Sequence, residues 1–524
     1  MFNSALYKSS YFFLLMLLLG LLLLVRLSVP LIYILDEAKN AQCAREMLQQ
    51  HNLIMPTFNG ELRTDKPPLH YFFMMIAYKI FGINVFAARF FSTIMGLLTV
   101  LISYYYTKKY LNAFIGFCSA LVLVMSTHFL FEFRLAVPDP YLIFFITLGL
   151  FSGFSWLQEN KPSQLFIASI SFALATLAKG PVALALPALC FLIWIIWKKK
   201  WKFFFTWKLV PAIVLLCAII LPWYIAVDKA TNGEWTKGFF VDNNIKRFSD
   251  PQEGHGGFFL LPLLFVLIGL LPFTIFSGEI IKKRSLIFIK ELTQFSAIVV
   301  LAFIIFFSVS STKLPNYPMP CYPFAAIILG NYIAALLDEK IKAKKYPFYI
   351  LLAFTFIVPI AGFFEIGQEV ETQQLGWIVS PLLIIPFILS IFLFNKKFET
   401  VHSKIKGIWL AYILFNIIAL QYVYPKLYEQ NPVAKTIDIV KQSPHIYAYQ
   451  IYNSAYNFYL NTNIKKYYSL DSLRFALQQN PDAIIISRKD FLDSLNTLNL
   501  QIIASHHDLF ELPTTVILKH NAKP

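Results

Sequence analysis

The first apolar run of the chain, Tyr11 to Leu35, ends in Asp36-Glu37-Ala38-Lys39. Carboxylates and a lysine at a membrane face are costly to place, which makes them functional candidates. In a helix that starts here Asp36 and Lys39 share a face. Asp36 can then accept a proton or orient an acceptor hydroxyl while Lys39 tunes it. The plainer alternative is that Asp36 and Glu37 only cap the helix, since acids favour an N-terminus. A second polar island is Thr64-Asp65-Lys66-Pro67-Pro68-Leu69-His70-Tyr71. Its prolines stiffen the backbone after the charged pair. Lys66 offers a compact cation to a phosphate, and Asp65 offers an oxygen ligand or a partner for Lys66.

Four further islands are weaker one by one. Arg134 and Asp139 flank the end of a hairpin and read first as a charge pair that holds the loop. Lys179-Gly180-Pro181 lies between two apolar runs, where a lysine either snorkels or meets an anion. Asn243-Asn244-Ile245-Lys246-Arg247-Phe248 precedes His255, and an arginine can grip a phosphate with two nitrogens. Lys313-Leu314-Pro315-Asn316-Tyr317 heads a later apolar run, a lysine and a tyrosine suited to an anionic head group.

The elements that must position these groups are membrane helices. The 524 residues are 57% hydrophobic and 14% charged, where soluble domains carry about 25% charged residues. Apolar runs long enough to span a bilayer number about 13, beginning with an uncleaved helix over 11–35. The net charge of +16 is not a nucleic-acid signal, because the lysines sit in short loops between apolar runs. With the N-terminus in the cytoplasm, alternate loops carry Lys108-Lys109, Lys161, Lys198-Lys199-Lys200, Lys282-Lys283-Arg284, Lys340 to Lys345 and Lys396-Lys397, the bias expected of cytoplasmic loops. Three segments then fall outside. Residues 36–85 read as amphipathic pieces lying at the interface, residues 228–257 as a second loop, and residues 425–524 as a small α/β domain after a membrane domain of 1–424. In that tail Ile446 to Ile451, Ala483 to Ser487 and Thr514 to Leu518 read as strands, and Leu473 to Gln479 and Asp490 to Leu495 as helical pieces. The five cysteines show no metal-ligand or disulfide spacing.

In this topology every polar island falls on one side of the membrane. Lys39, Lys66, Lys179, Arg247 and Lys313 converge there with two or three carboxylates, which suits an anionic, lipid-linked donor. The islands, in this order, resemble the polyprenyl-phosphate-sugar-dependent glycosyltransferases of the GT-C fold. The resemblance is to the lipid A aminoarabinose transferases and, more distantly, to the protein O-mannosyltransferases. The motifs that carry the resemblance are Asp36-Glu37-Ala38 with Arg45-Glu46-Met47; Phe58-Asn59-Gly60; Asp65-Lys66-Pro67-Pro68-Leu69; Phe81-Gly82 with Phe86-Ala87-Ala88-Arg89; Asp139-Pro140; Lys179-Gly180-Pro181; Arg247-Phe248; and Lys313-Leu314-Pro315 with Tyr317.

The resemblance implies an inverting transfer of a sugar from undecaprenyl phosphate to lipid A or another envelope glycan at the periplasmic face of a bacterial inner membrane. It implies that Asp36 is the base near the acceptor and Asp139 a second catalytic acid. Lys66 and Arg247 would stabilise the departing phosphate, with Lys39, Lys179, Lys313 and Tyr317 around it. Asp65 and His255 match places where a divalent metal can sit beside that phosphate. The chain departs from the family pattern at Asn243 and Asn244, where an acid and a histidine are common, at Lys39, where arginine is common, and at Asp65, where glutamate is common. Two other readings are carried: the same chemistry on protein Ser/Thr, and a flippase of lipid-linked sugars. A flippase calls for charged or broken helices at mid-bilayer and related halves, whereas here the polar residues lie at one face.

Overall fold

Long apolar runs leave the backbone no partner but itself, so most of the chain is helix. The computed structural model describes residues 4, 7–203, 205–246 and 256–520. The first helices and strands are α1 (Ser9–Leu24), α2 (Leu35–Gln49), the hairpin strands β1 (Thr57–Phe58) and β2 (Glu61–Leu62), and α3 (Leu69–Phe81). There follow α4 (Val85–Tyr110), α5 (Ala113–Met125), the short α6 (Thr127–Glu132), α7 (Asp139–Glu159), α8 (Pro162–Lys179), α9 (Val182–Trp197) and α10 (Leu209–Ala230). Among the described residues eight helices are long and apolar enough to cross a membrane: α4, α7, α10, Glu291–Val309, Met319–Leu337, Tyr346–Gln368, Val370–Phe394 and Val401–Tyr428. Leu261–Gly269 and Phe273–Lys282, bent by 114°, make a ninth if they are one broken span. The run-length estimate of about 13 spans also counts α1, α5 and α9, which are apolar but shorter, and α8, which is not among the eight.

The basic loops gather at one end of the helices. Lys109 and Lys161 both pair with Glu159, and Lys198 and Lys200 both approach Glu291. Away from these loops α2 packs on α3, and α3 on α4 and α8. The expectation of an amphipathic piece holds for α3, whose Ile76, Ile80 and Phe81 are exposed while Tyr71, Met74 and Ala77 are buried. It does not hold for α2. From Asn40 to Met47 that helix is buried throughout, because α3 and the helix Ala455–Leu460 of the C-terminal tail pack on it.

That sheet has the order β4-β3-β5-β7-β6, with β3 (Ile446–Tyr449), β4 (Lys465–Tyr467), β5 (Ile484–Arg488), β6 (Leu500–His507) and β7 (Thr514–His520). β3, β4 and β5 are parallel, while β7 runs antiparallel to β5 and β6. Strand alternation splits its apolar residues between two cores. Ala448, Ile484, Ile486 and Ile517 join Ala38, Ala41, Ala44 and Met47 of α2. Tyr447, Tyr449, Ile485 and Leu518 pack under Leu473 and Leu477 of the outer helix Leu470–Gln479. The strands β4 and β6 are not in the sequence expectation, the first being short and polar. All five cysteines are free thiols.

Candidate active site

The acidic pair at the start of α2 divides its labour. Glu37 is fully buried and its carboxylate meets Arg89 of α4, Nε to Oε1 at 2.6 Å and Nη2 to Oε2 at 2.8 Å. The amide of Ala136 donates to the same carboxylate, and Arg89 Nη1 also donates to the carbonyls of Leu27 and Pro30. Glu37 therefore locks α2 to α4 and to the turns beside α1 and α7. Asp36 is open to solvent. The surrounding protein raises its carboxyl by desolvation, but Lys66, Arg63, Lys39 and Lys179 outweigh this and hold it at about 2. Asp36 is thus ionised, with four cations around it.

Asp139 and Lys179 come together through a simple device. α7 and α8 form an antiparallel hairpin, so the first residue of one lies beside the last residue of the other. Each charge also suits its helix end, an acid at an N-terminus and a base at a C-terminus. The two form an ion pair, and Lys179 Nζ lies 5.0 Å from the centre of the Tyr317 ring. Asp139 does not pair with Arg134, contrary to the first reading of that loop. Arg134 caps the end of α1 instead, donating to the carbonyls of Leu22, Leu23, Val25 and Arg26. Gly180 ends α8 at φ 91°, and a Cβ there would come within 2.5 Å of the Phe239 ring.

Asp65, Lys66, Lys179, Asn243, Asn244, Ser310 and Tyr317 line one side of a cavity of about 270 Å³. The rest of its wall is apolar, with Leu142, Ile146, Val182, Leu186, Phe303, Phe306 and Phe307. A trough of hydrocarbon with cations and amides at its head matches a long isoprenoid chain carrying a phosphate. The segment 57–66 is held over this cavity at both ends. Trp235, fully buried, donates from Nε1 to the Arg63 carbonyl at 3.0 Å. Glu46 takes hydrogen bonds from Thr57 Oγ1 and from the amides of Asn59 and Gly60. Asn59 and Gly60 both have positive φ, 56° and 80°, the two-residue turn that suits a hairpin.

Not every candidate reaches the cavity wall. Asp36, Asp139 and the half-buried Lys39 are outside the lining. Lys313 is buried and donates from Nζ to the Ser310 carbonyl at 2.7 Å. Arg247 and His255 lie outside the described residues. Asp65 Oδ2 faces the Arg63 guanidinium at 3.2 Å, where a cation already stands, and no three His, Cys, Asp or Glu side chains converge among the described residues.

Two groups near the site were not singled out in the sequence. Arg63 stands immediately before the island that begins at Thr64, and its place beside Asp65 was the available signal. Glu132 is buried in α6, and burial together with Asp139 raises its carboxyl well above the ordinary range. A protonated Glu132 spares Lys179 a second negative neighbour. Nothing in its sequence context, Phe-Glu-Phe, announces that role.

Residues 11–236 match the family model of the dolichyl-phosphate-mannose-protein mannosyltransferases. An uncharacterised protein of Aquifex aeolicus is 26% identical over 87% of both chains. An undecaprenyl phosphate-α-4-amino-4-deoxy-L-arabinose arabinosyl transferase of Pseudomonas fluorescens is 30% identical over 61% of this chain and 59% of its own. Among solved structures, ArnT from Cupriavidus metallidurans in the apo state superposes with a TM-score of 0.78 at 18% identity, covering 97% of this chain and 98% of that one. The expected fold and class therefore hold, and the chain is a GT-C-fold glycosyltransferase similar to the aminoarabinose transferases and the protein mannosyltransferases.

Proposed function

We propose that the protein transfers a sugar from undecaprenyl phosphate to lipid A or another envelope glycan, at the periplasmic face of a bacterial inner membrane. The observation that carries this is the amphipathic cavity, cationic where Lys66 and Lys179 stand and apolar along the helices. The arabinosyl transferases similar to this chain are named for an undecaprenyl phosphate donor. The charge of the basic loops supports a cytoplasmic position for their end of the helices and, with it, an outer position for the cavity mouth and residues 425–524.

In this reading the polyprenyl tail lies along Phe303, Phe306 and Phe307 and the donor phosphate meets Lys66, Lys179 and Tyr317. An acceptor oxygen attacks the anomeric carbon from the face opposite the phosphate. As the new C–O bond forms, the bond from that carbon to the phosphate oxygen breaks. Its electron pair goes to the phosphate, whose growing charge the two lysines stabilise, the proton of an acceptor hydroxyl goes to Asp36, and Asp139 orients Lys179. Lys39 and Lys313 would contribute longer-range positive potential, Arg247 is assigned to stabilising the departing phosphate with Lys66, and no step is assigned to a metal.

The test is mass spectrometry of lipid A and other envelope glycolipids from cells with and without the gene, and with Asp36→Asn in its place. Loss of the mass of one sugar in both the deletion and the variant is the expected result, with the variant protein still inserted in the membrane. Turnover in Asp36→Asn should fall by about 100-fold or more, and unchanged turnover would remove Asp36 from the reaction. Unchanged glycolipids with altered glycoproteins would move the acceptor to protein.

A further inference from the structure

Four buried or nearly buried arginines stand near the cavity end of the molecule, and three of them spend their donors on the fold. Arg89 and Arg134 use their terminal nitrogens on carboxylate and carbonyl oxygens. Arg45 donates both Nη groups to the carbonyls of Phe458 and Asn457. Arg63 differs. It is 5% exposed, yet among the described residues Nη1 and Nη2 have no hydrogen-bond partner, and its side chain's one hydrogen bond there is from Nε to Asp65 Oδ2 at 3.2 Å. A buried guanidinium with unspent donors is costly, so packing alone does not explain it. The other end of its single bond does. Asp65 is 37% exposed at its side chain and lines the donor cavity beside Lys66.

A bare carboxylate in that wall would repel a phosphate and compete with it for Lys66. We propose that Arg63 is a positioning residue for the donor: from behind the wall it turns Asp65 away from Lys66 and cancels its charge, keeping the cavity head net cationic. Burial weakens an arginine's hold on its proton, but Tyr71, Asp65, Cys43 and Asp36 around it more than restore it, so the charge is present when the donor arrives. His70, also buried among these groups, is kept neutral by burial and by Arg63 and Lys66, and adds no competing charge. The inference rests on the donor phosphate occupying this cavity.

The experiment measures binding of undecaprenyl phosphate to the full-length protein in nanodiscs, with thermal unfolding as the control for folding. Arg63→Met should weaken binding about tenfold, the scale of one uncompensated charge at several ångströms in a partly buried site. Adding Asp65→Asn to Arg63→Met should bring binding back close to the wild type, and Arg63→Lys should retain most of it. If the double variant binds as weakly as Arg63→Met, or if Arg63→Met binds normally, the proposal is overturned. Should Arg63→Met fail to fold, Asp65→Asn alone decides: it should bind at least as tightly as the wild type, and weaker binding overturns the proposal. Lys66→Ala separates the two levels. If it weakens binding and Arg63→Met does not, only the role of Arg63 is lost, whereas undiminished binding in Lys66→Ala removes the phosphate from this cavity altogether.

Discussion

At neutral pH Asp36 carries its charge, and by itself it is a feeble base. A carboxyl held at about 2 by Lys66, Arg63, Lys39 and Lys179 lies far from the pH at which proton transfer is most efficient. A donor phosphate on Lys66 and Lys179 would cancel part of that positive potential, and the lowering would relax. The sign is definite: removing a neighbouring cation favours the protonated form, so the pKa rises. The acid limb of kcat/KM should therefore lie near the bottom of the measurable range, while that of kcat moves up toward about 4, the ordinary carboxylate value. Lys66→Met should move the kcat/KM limb in the same direction. Coincident limbs in the two profiles would show that donor binding leaves Asp36 untouched. Asp36 is legible in the sequence because an acid after an apolar run has few structural uses. Its neighbour Glu37 looks the same on paper. Its role becomes visible only with Arg89, 52 positions away and on another helix.

Hairpins of known length do much of the positioning at the next scale. α7 and α8 are joined by a short turn at Asn160 and Lys161, so the Asp139–Lys179 pairing follows once both helices are placed. Run lengths and loop charges already placed them, which is why that pair can be anticipated although the first reading matched Asp139 with Arg134. The buried position of α2 could not be anticipated. Its sequence is mildly amphipathic, and part of the surface that covers it belongs to a helix more than 400 positions later. The turn at Gly180 offers a direct check on how tightly the helix ends are held. Gly180→Val imposes a side chain at φ 91° and against the Phe239 ring. It should lower stability by about 1–3 kcal/mol in thermal unfolding and weaken undecaprenyl phosphate binding through Lys179. A normal melting temperature with normal binding would show that this junction yields easily.

Across the whole molecule the tail shares a core with α2, α3 and the start of α4. Arg45 reaches Phe458 and Asn457, Asn59 accepts from the amide of Ile464 at 2.7 Å, and Lys435 pairs with Glu371 at 2.6 Å. His506 and His507 meet Glu371 and Glu369 along the same seam. Arg45→Ala leaves two buried carbonyls unpaired and should cost about 1–3 kcal/mol. Hydrogen exchange would report it as faster opening of β3 and of the helix Ala455–Leu460, with the transmembrane helices unaffected. Uniform loosening of the whole chain would mean that tail and bundle unfold as one unit.

The hairpin that leads to Lys66 hangs between two supports of different origin, Glu46 with the tail residues Asn457 and Ile464 on one side and Trp235 on the other. The tail is therefore no interchangeable cassette. A chimera that exchanges residues 425–524 with those of a relative would keep every helix and still misplace the lysine, unless residues 45–63 travel with it.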